Sequence, residues 1–128
     1  MRLALLAILV LATCDVDPIT VQPITEVTPP SVALRLYAET AECVGADTSP
    51  PEGLRWFTAE IADRGHRRLG AWEPPHKIFV DPEVWAELYH GNALARDVVR
   101  HEALHDVTGS FRHDVRPDCD PFAPEAEP

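Results

Sequence analysis

A pair of histidines four residues apart, with a glutamate beside the first, is the part of this sequence best suited to chemistry. His101, Glu102 and His105 form the pattern H-E-x-x-H. On an α-helix, residues i and i+4 lie about 40° apart around the axis and about 6 Å apart along it, so both imidazoles can bind one metal ion. Glu102 projects to one side, where its carboxylate can reach a water molecule on the metal. The pattern therefore predicts a Zn²⁺ site with Glu102 as general base.

A catalytic zinc site needs a third protein ligand and an open position for water. His113, eight residues after His105, is the first choice for this ligand. The carboxylates that a folded-back loop could supply instead are Asp114, Asp118 and Asp120. Behind the ligands, Asp97 lies one turn before His101 and is better placed than Asp106 to orient an imidazole.

The chain around the motif has the signals of a helix. Residues 92–108 contain neither Pro nor Gly, and Gly109 then supplies a C-cap. An apolar stripe at helical spacing leads to the histidines, and its members are Leu94, Val98, His101 and His105. We expect this face to be buried, which would place the metal against the core.

The remaining segments predict two further helices and two or three strands. The helices are expected at 32–43, after Ser31 as N-cap, and at 82–89, after Asp81 as N-cap. The strands are expected at 54–61 and 77–80, with a shorter one near 69–72. With a length of 128 residues, the chain can form one small domain.

The first residues have the features of an export signal. Residues 3–11 form an apolar run behind Arg2 that is too short to cross a bilayer but suits a secretory signal. The run ends in Leu-Ala-Thr-Cys, which is similar to the lipobox of bacterial lipoproteins and predicts acylation of Cys14. Ordinary cleavage after Ala12 is the alternative. We expect residues 1–13 to be a signal peptide and the protein to be exported, either anchored to a membrane or secreted.

The chain has three cysteines. If Cys14 carries a lipid, Cys43 and Cys119 remain as a pair, and export permits a disulfide between them. Such a bond closes a loop of about 75 residues and would stabilise a small fold by several kcal/mol. Two unrelated free thiols are the alternative, and a shared Cys–His metal site is less favoured because neither cysteine has a Cys-x-x-Cys partner.

Both ends of the predicted domain are poor in core-forming residues. Residues 14–31 are rich in Pro and Thr, and Pro18 and Pro23 argue against a strand there, so we expect an extended tether. The domain is expected at 32–119, and residues 120–128 are expected to be a disordered acidic tail. The formal charge of −10 argues against nucleic acid as a partner.

The motif and the residues after it resemble a group of small bacterial exported zincins, in which the motif helix is followed by a Gly-rich turn, a His-containing loop and a terminal cysteine. The matching positions are residues 98–105, Gly109, His113, Pro117 and Cys119, with Cys43 similar to an early cysteine of the group. The longer metzincin pattern H-E-x-x-H-x-x-G-x-x-H does not fit, because Thr108 stands at its Gly position and Phe111 at its third His position. The resemblance implies a zincin-like α+β fold, with a short twisted sheet packed on the motif helix.

A zinc-dependent metallopeptidase acting on peptide or protein substrates is the expected function. The resemblance implies that the substrate pairs with an edge strand of the sheet. The residues that could assist the zinc ion in the transition state are Tyr89, His90, His76 and His66, and the sequence does not choose among them. A non-catalytic zinc-binding exported lipoprotein is the alternative, because a domain of about ninety residues has few residues to line a substrate cleft. A structural domain whose histidines bind nothing is a third.

Overall fold

Three helices pack on one face of a five-stranded sheet in the computed structural model, which describes residues 20–123. In chain order the elements are β1 (Thr20–Val27), α1 (Ser31–Cys43), β2 (Arg55–Asp63), β3 (His66–Arg68), β4 (Gly70–Glu73), β5 (Lys77–Val80), α2 (Pro82–Tyr89) and α3 (Ala93–Thr108), followed by a 3₁₀ turn at Pro117–Cys119. The mixed α+β class expected from the sequence is confirmed. Within residues 20–123, no helix is long and apolar enough to cross a membrane.

The sheet runs in the order β1-β2-β5-β4, and β3 pairs with the end of β2. β2 and β5 are parallel, whereas the other neighbouring strands are antiparallel. β3 and β4 are separated only by Leu69, so the chain leaves β2 and continues along the outer side of β5. In the described part of the chain nothing pairs with the other side of β4, and this edge strand packs against α3.

Most predicted elements are confirmed to within two residues. The short segment near 69–72 is β4, the strand predicted at 54–61 continues to Asp63, and β3 was not predicted. Asp81 caps α2 by accepting a hydrogen bond from the Glu83 amide, as expected. The prediction for the start of α1 is wrong by one residue, because Pro30 is its N-cap and no side chain caps it.

The tether prediction is wrong for Thr20–Val27, which forms the strand β1 along β2. The pairing register shifts between Val21 and Ile24, around Pro23. A proline lacks the N–H that a regular ladder needs, but an edge strand with an irregular register accommodates it. The predicted signal peptide, Cys14 and the first part of the tether lie outside the described residues.

The helices and the sheet share one apolar core. Its large members, each at most 8% exposed, are Leu36, Tyr37, Trp56, Trp72, Ile78, Trp85, Leu88 and Val99. Trp56 contacts Tyr37 and Trp85 edge-on, and so joins α1 and α2 through β2. The prediction that Leu94 is buried on α3 is wrong, because this side chain is 52% exposed. Ala95, in the same turn, packs in the core instead.

The motif helix α3 is confirmed, with both of its ends fixed by local signals. The Asn92 side chain accepts a hydrogen bond from the Ala95 amide at 3.1 Å and caps the first turn. Gly109 adopts a left-handed conformation with φ of 61°, and its amide donates a hydrogen bond to the Asp106 carbonyl oxygen. The chain then turns back over the last turn of α3, where the site lies.

A disulfide joins Cys43 at the end of α1 to Cys119 in the 3₁₀ turn, as the sequence predicted. It anchors the segment after α3 to the first helix. The prediction of a disordered tail from residue 120 is wrong at its start, because Asp120 is 7% exposed and Phe122 contacts His101. The disulfide fixes Cys119, the residue before Asp120, which explains why Asp120 and Phe122 stay packed against the domain.

Candidate metal centre

Three imidazoles converge at the end of α3. The helix supplies His101 and His105, and the loop after Gly109 brings His113 to them, so that one ligand atom from each lies within 4.8 Å of the other two. The Nε2 atoms of His101 and His105 are 3.2 Å apart. The structure thus places the first-choice third ligand beside the histidine pair.

The other ring nitrogens of these histidines face oxygen atoms. His105 Nδ1 donates to the Ser110 carbonyl at 2.8 Å, and His113 Nδ1 donates to Asp120 Oδ2 at 2.5 Å. His101 Nδ1 lies 3.5 Å from Asp120 Oδ1, but it is buried and makes no hydrogen bond of good geometry. With a proton on Nδ1, each ring keeps the lone pair of its Nε2 free for a metal ion.

This arrangement fits a zinc ion. Two lone pairs 3.2 Å apart repel one another unless a cation or a shared proton lies between them. Tetrahedral zinc with Zn–N bonds of about 2.0–2.1 Å would hold two nitrogens about 3.3 Å apart, close to the observed separation. Three neutral imidazoles are also a donor set that zinc prefers.

Burial keeps the two helical imidazoles neutral. The pKa of His101 is lowered by burial, and then by the neighbouring His105 and His113, which together outweigh the carboxylate of Asp120. Burial also lowers the pKa of His105. Since only a neutral imidazole binds a metal, the site is ready to take one near neutral pH.

Asp120 is shared by two of the histidines instead of serving as a ligand. Burial raises the pKa of Asp120, but the hydrogen bonds from His113 and from the Phe122 amide act against burial, and the net pKa is lowered. Asp120 is therefore an ionised carboxylate that orients two ligands. The other aspartates proposed as ligands stay outside, because Asp114 is exposed and Asp118 pairs with Arg116.

Glu102 is buried between α3 and the edge strand β4. It is 6% exposed, and a β-carbon on Gly70 would come within 2.7 Å of its Cγ and Oε1 atoms. Burial raises the pKa of Glu102 to about 8, and the positive charge of Arg68 offsets part of this effect. A carboxyl group in such a position can both accept and donate a proton near neutral pH.

The three histidines and the shared aspartate therefore form one cluster, and the buried Glu102 directly follows the first of these histidines on α3. Comparison with protein-family models, curated proteins and solved structures finds no match. The chemistry of the cluster has to be inferred from its own geometry. A cavity of about 590 Å³ beside Arg67 and Asp81 contains none of these residues, so cavity size does not indicate the site.

A second buried carboxylate, Asp106, supports the cluster from behind. It accepts hydrogen bonds from Tyr37 Oη at 2.7 Å, Trp72 Nε1 at 2.8 Å and His76 Nδ1 at 3.1 Å. The Trp72 ring in turn lies nearly parallel to the His105 ring, with the ring centres 6.1 Å apart. Asp106 thus joins Tyr37 of α1 to Trp72 of β4, and the Trp72 ring contacts the proposed ligand His105.

The sequence favoured the wrong aspartate for this supporting role. Asp97 pairs with Arg100 at 3.6 Å and does not contact a proposed ligand. Of the residues suggested as a second transition-state donor, His76 is bound to Asp106, while Tyr89 lines a separate cavity with Trp85. His66 and His90 are exposed, and neither belongs to the cluster.

Proposed function

We propose that the chain is a zinc-dependent metallopeptidase. The observation that carries this proposal is the convergence of three imidazoles, from His101, His105 and His113, at a helix on which the buried Glu102 directly follows His101. Three histidine ligands leave one position of a tetrahedral zinc ion for water, as hydrolytic sites require. The same geometry supports a zincin-like relationship between α3 and the sheet.

The roles of the protein groups follow from their surroundings. His101, His105 and His113 would hold the zinc ion, which would supply Lewis-acid chemistry to a bound water molecule and to the substrate carbonyl group. Glu102 accepts a proton from the attacking water and delivers it to the leaving amine. Asp120 and the Ser110 carbonyl hold the imidazoles in the tautomer that leaves Nε2 free.

The edge strand β4 is the proposed binding site for the substrate backbone. Its outer side has no partner strand within residues 20–123, and Gly70 on this strand lies against Glu102. A peptide that adds to this edge would bring its backbone past the catalytic carboxylate. The absence of a side chain at Gly70 leaves Glu102 room to stand beside the strand.

The test combines zinc analysis with peptide cleavage for wild type, Glu102→Gln and the control Glu87→Gln, which changes an exposed glutamate of α2. We expect all three proteins to retain zinc and Glu102→Gln alone to lose at least about a hundredfold in activity. Cleavage that is undiminished in Glu102→Gln would rule out the assigned mechanism. Bound zinc without cleavage of any peptide by wild type would support a non-catalytic zinc-binding lipoprotein.

The third ligand is tested separately. His113→Ala is expected to weaken zinc binding strongly, because it leaves two protein ligands, whereas the exposed His66→Ala should leave it unchanged. Chelator competition gives both affinities. An unchanged affinity in His113→Ala would point to the neighbouring Asp120 as the ligand.

We also propose that the protein is exported and anchored to a membrane through Cys14, on the sequence features of residues 1–14. Cys14→Ser should move the protein from the membrane fraction to the soluble fraction. A wild-type protein found in the soluble fraction would favour ordinary cleavage after Ala12, and a Cys14→Ser protein that stays in the membrane fraction would contradict the lipid anchor.

A further inference from the structure

Two exposed phenylalanine rings border the histidine cluster, each beside a different imidazole. Phe111 is 65% exposed, and its ring centre lies 5.8 Å from that of His105. Phe122 is 47% exposed, and its ring centre lies 5.2 Å from that of His101. The ring centres of these two imidazoles are 4.7 Å apart, so two neighbouring proposed ligands each have an exposed aromatic ring beside them.

The rings reach this position through different parts of the fold. Phe111 follows the Gly109 turn and packs edge-on against Trp72 of the edge strand, with ring centres 4.9 Å apart. Phe122 follows Asp120, whose carboxylate accepts a hydrogen bond from the Phe122 amide at 3.0 Å. Each ring is thus placed by groups that also position a proposed zinc ligand.

Exposed aromatic rings of this size are informative because each could lower its free energy by being covered. Single exposed apolar residues are common, but two beside neighbouring imidazoles of one cluster form a shared apolar border. Phe111 contacts Trp72 of β4, the edge strand proposed above to bind the substrate backbone. The occupant that fits is an apolar side chain of such a peptide.

We propose that Phe111 and Phe122 select peptides with aromatic or branched aliphatic side chains next to the scissile bond. This inference rests on the proposed peptidase function, since it assigns the substrate class of the same site. Phe111 takes the side chain nearer the edge strand, and Phe122 takes the one across the histidines. Both are specificity residues, because neither supplies a polar group to the reaction.

The cleavage test uses a mixture of short peptides with randomised residues, followed by matched peptides that differ only at the cleaved pair. We expect peptides with Leu or Phe there to be cleaved roughly tenfold faster, in kcat/KM, than those with Ser or Asn. Phe111→Ala and Phe122→Ala should each lose most of this preference while keeping their zinc. Leu94→Ala, which removes an exposed apolar side chain from the start of α3, is the control.

A binding arm keeps the inference testable without turnover. Calorimetry with zinc-loaded Glu102→Gln should show roughly tenfold tighter binding of the apolar peptide than of its Ser counterpart, and Phe111→Ala added to this variant should remove the difference. Cleavage or binding without any apolar preference would overturn this inference and leave the peptidase proposal standing. Absence of zinc, or cleavage independent of Glu102, would instead overturn the peptidase proposal.

The alternative occupant of the rings is a lipid surface. Vesicles of phosphatidylethanolamine and phosphatidylglycerol test it directly, with a soluble Cys14→Ser protein. Vesicle binding that Phe111→Ala and Phe122→Ala abolish, together with an unchanged peptide preference, would assign the rings to the membrane and overturn the inference.

Discussion

At the scale of single residues, two buried aspartates support the proposed zinc ligands in different ways. Asp120 approaches His113 and His101 directly, whereas Asp106 acts through Trp72, whose ring lies against His105. Tyr37 donates to the same Asp106 carboxylate, and burial together with this hydrogen bond raises the pKa of its hydroxyl. Tyr37 and Trp72 therefore share one acceptor, but only Trp72 contacts a ligand.

This difference gives a matched pair of variants. Trp72→Phe removes the donor that fixes the ring against His105, so zinc affinity should fall about tenfold. Tyr37→Phe removes a donor from the same carboxylate but should change only stability, by about 1 kcal/mol. Chelator competition and urea unfolding give the two quantities. If the loss of zinc affinity is in the same proportion to the loss of stability in both variants, Asp106 has a structural role only.

The buried Glu102 makes the stability of the zinc-free protein depend on pH. Folding raises its pKa from 4.5 to about 8, so the folded state holds the proton more tightly. Its contribution is therefore fully present at acidic pH and is lost as pH rises toward 8, by up to about 1.4 kcal/mol per pH unit. Glu102→Gln cannot titrate there and should gain stability over wild type across this range.

Urea unfolding in the presence of a chelator, at a series of pH values, measures this difference. The lowered pKa values of His101 and His105 act in the opposite direction, since they reduce stability as pH falls below 6.5. Both proteins share that effect, so the difference between them isolates Glu102. A difference that does not change with pH would show that the carboxyl group titrates normally.

At the scale of elements, the edge strand β4 and the helix α3 meet where Gly70 faces Glu102. The other five glycines have positive φ, as tight turns require, but Gly70 does not. Its small size is therefore the property that matters. Any β-carbon would occupy the space of the Glu102 side chain.

Gly70→Ala should move the carboxylate, lower peptidase activity and cost about 1–3 kcal/mol of stability. In a Glu102→Ala background the clashing atoms are gone, so the same substitution should cost little. Urea unfolding of the four proteins gives the coupling free energy directly. Equal costs in both backgrounds would show that Gly70 serves the backbone of β4 and not Glu102.

The elements also show which part of the site a sequence can predict. α3 carries its own cap at Asn92, its stop at Gly109 and the histidine spacing, all of which are local signals. The role of Asp106 depends on Tyr37, which lies 69 residues earlier, and on the packing of β4. No local pattern shows that juxtaposition, nor that β2 would pair with a proline-containing strand such as β1.

At the scale of the whole molecule, the disulfide connects the first helix to the segment that completes the site. Cys119 immediately precedes Asp120, and the bond closes a separation of 76 residues to Cys43. Because the closed loop is long, the disulfide lowers the entropy of the unfolded chain strongly and raises the free energy of unfolding by about 4 kcal/mol. The local effect is that Asp120 is held at a fixed distance from α1.

Cys43→Ala combined with Cys119→Ala should therefore reduce both stability and zinc affinity. The loss of affinity should exceed that of Leu36→Ala, a core substitution in the same helix that destabilises the fold without touching the loop. Chelator competition at low temperature, where both variants are folded, makes the comparison. Equal zinc affinities in the two variants would mean that the loop holds Asp120 without the disulfide.

The position of the disulfide also sets an order of assembly. In a reducing cytosol the two thiols stay apart, and the loop that carries His113 and Asp120 has no covalent tie to α1. If the chain is exported as proposed, it crosses the membrane before this tie can form. The loop that carries His113 would then gain its tie to α1, and the proposed zinc site its full affinity, only after export.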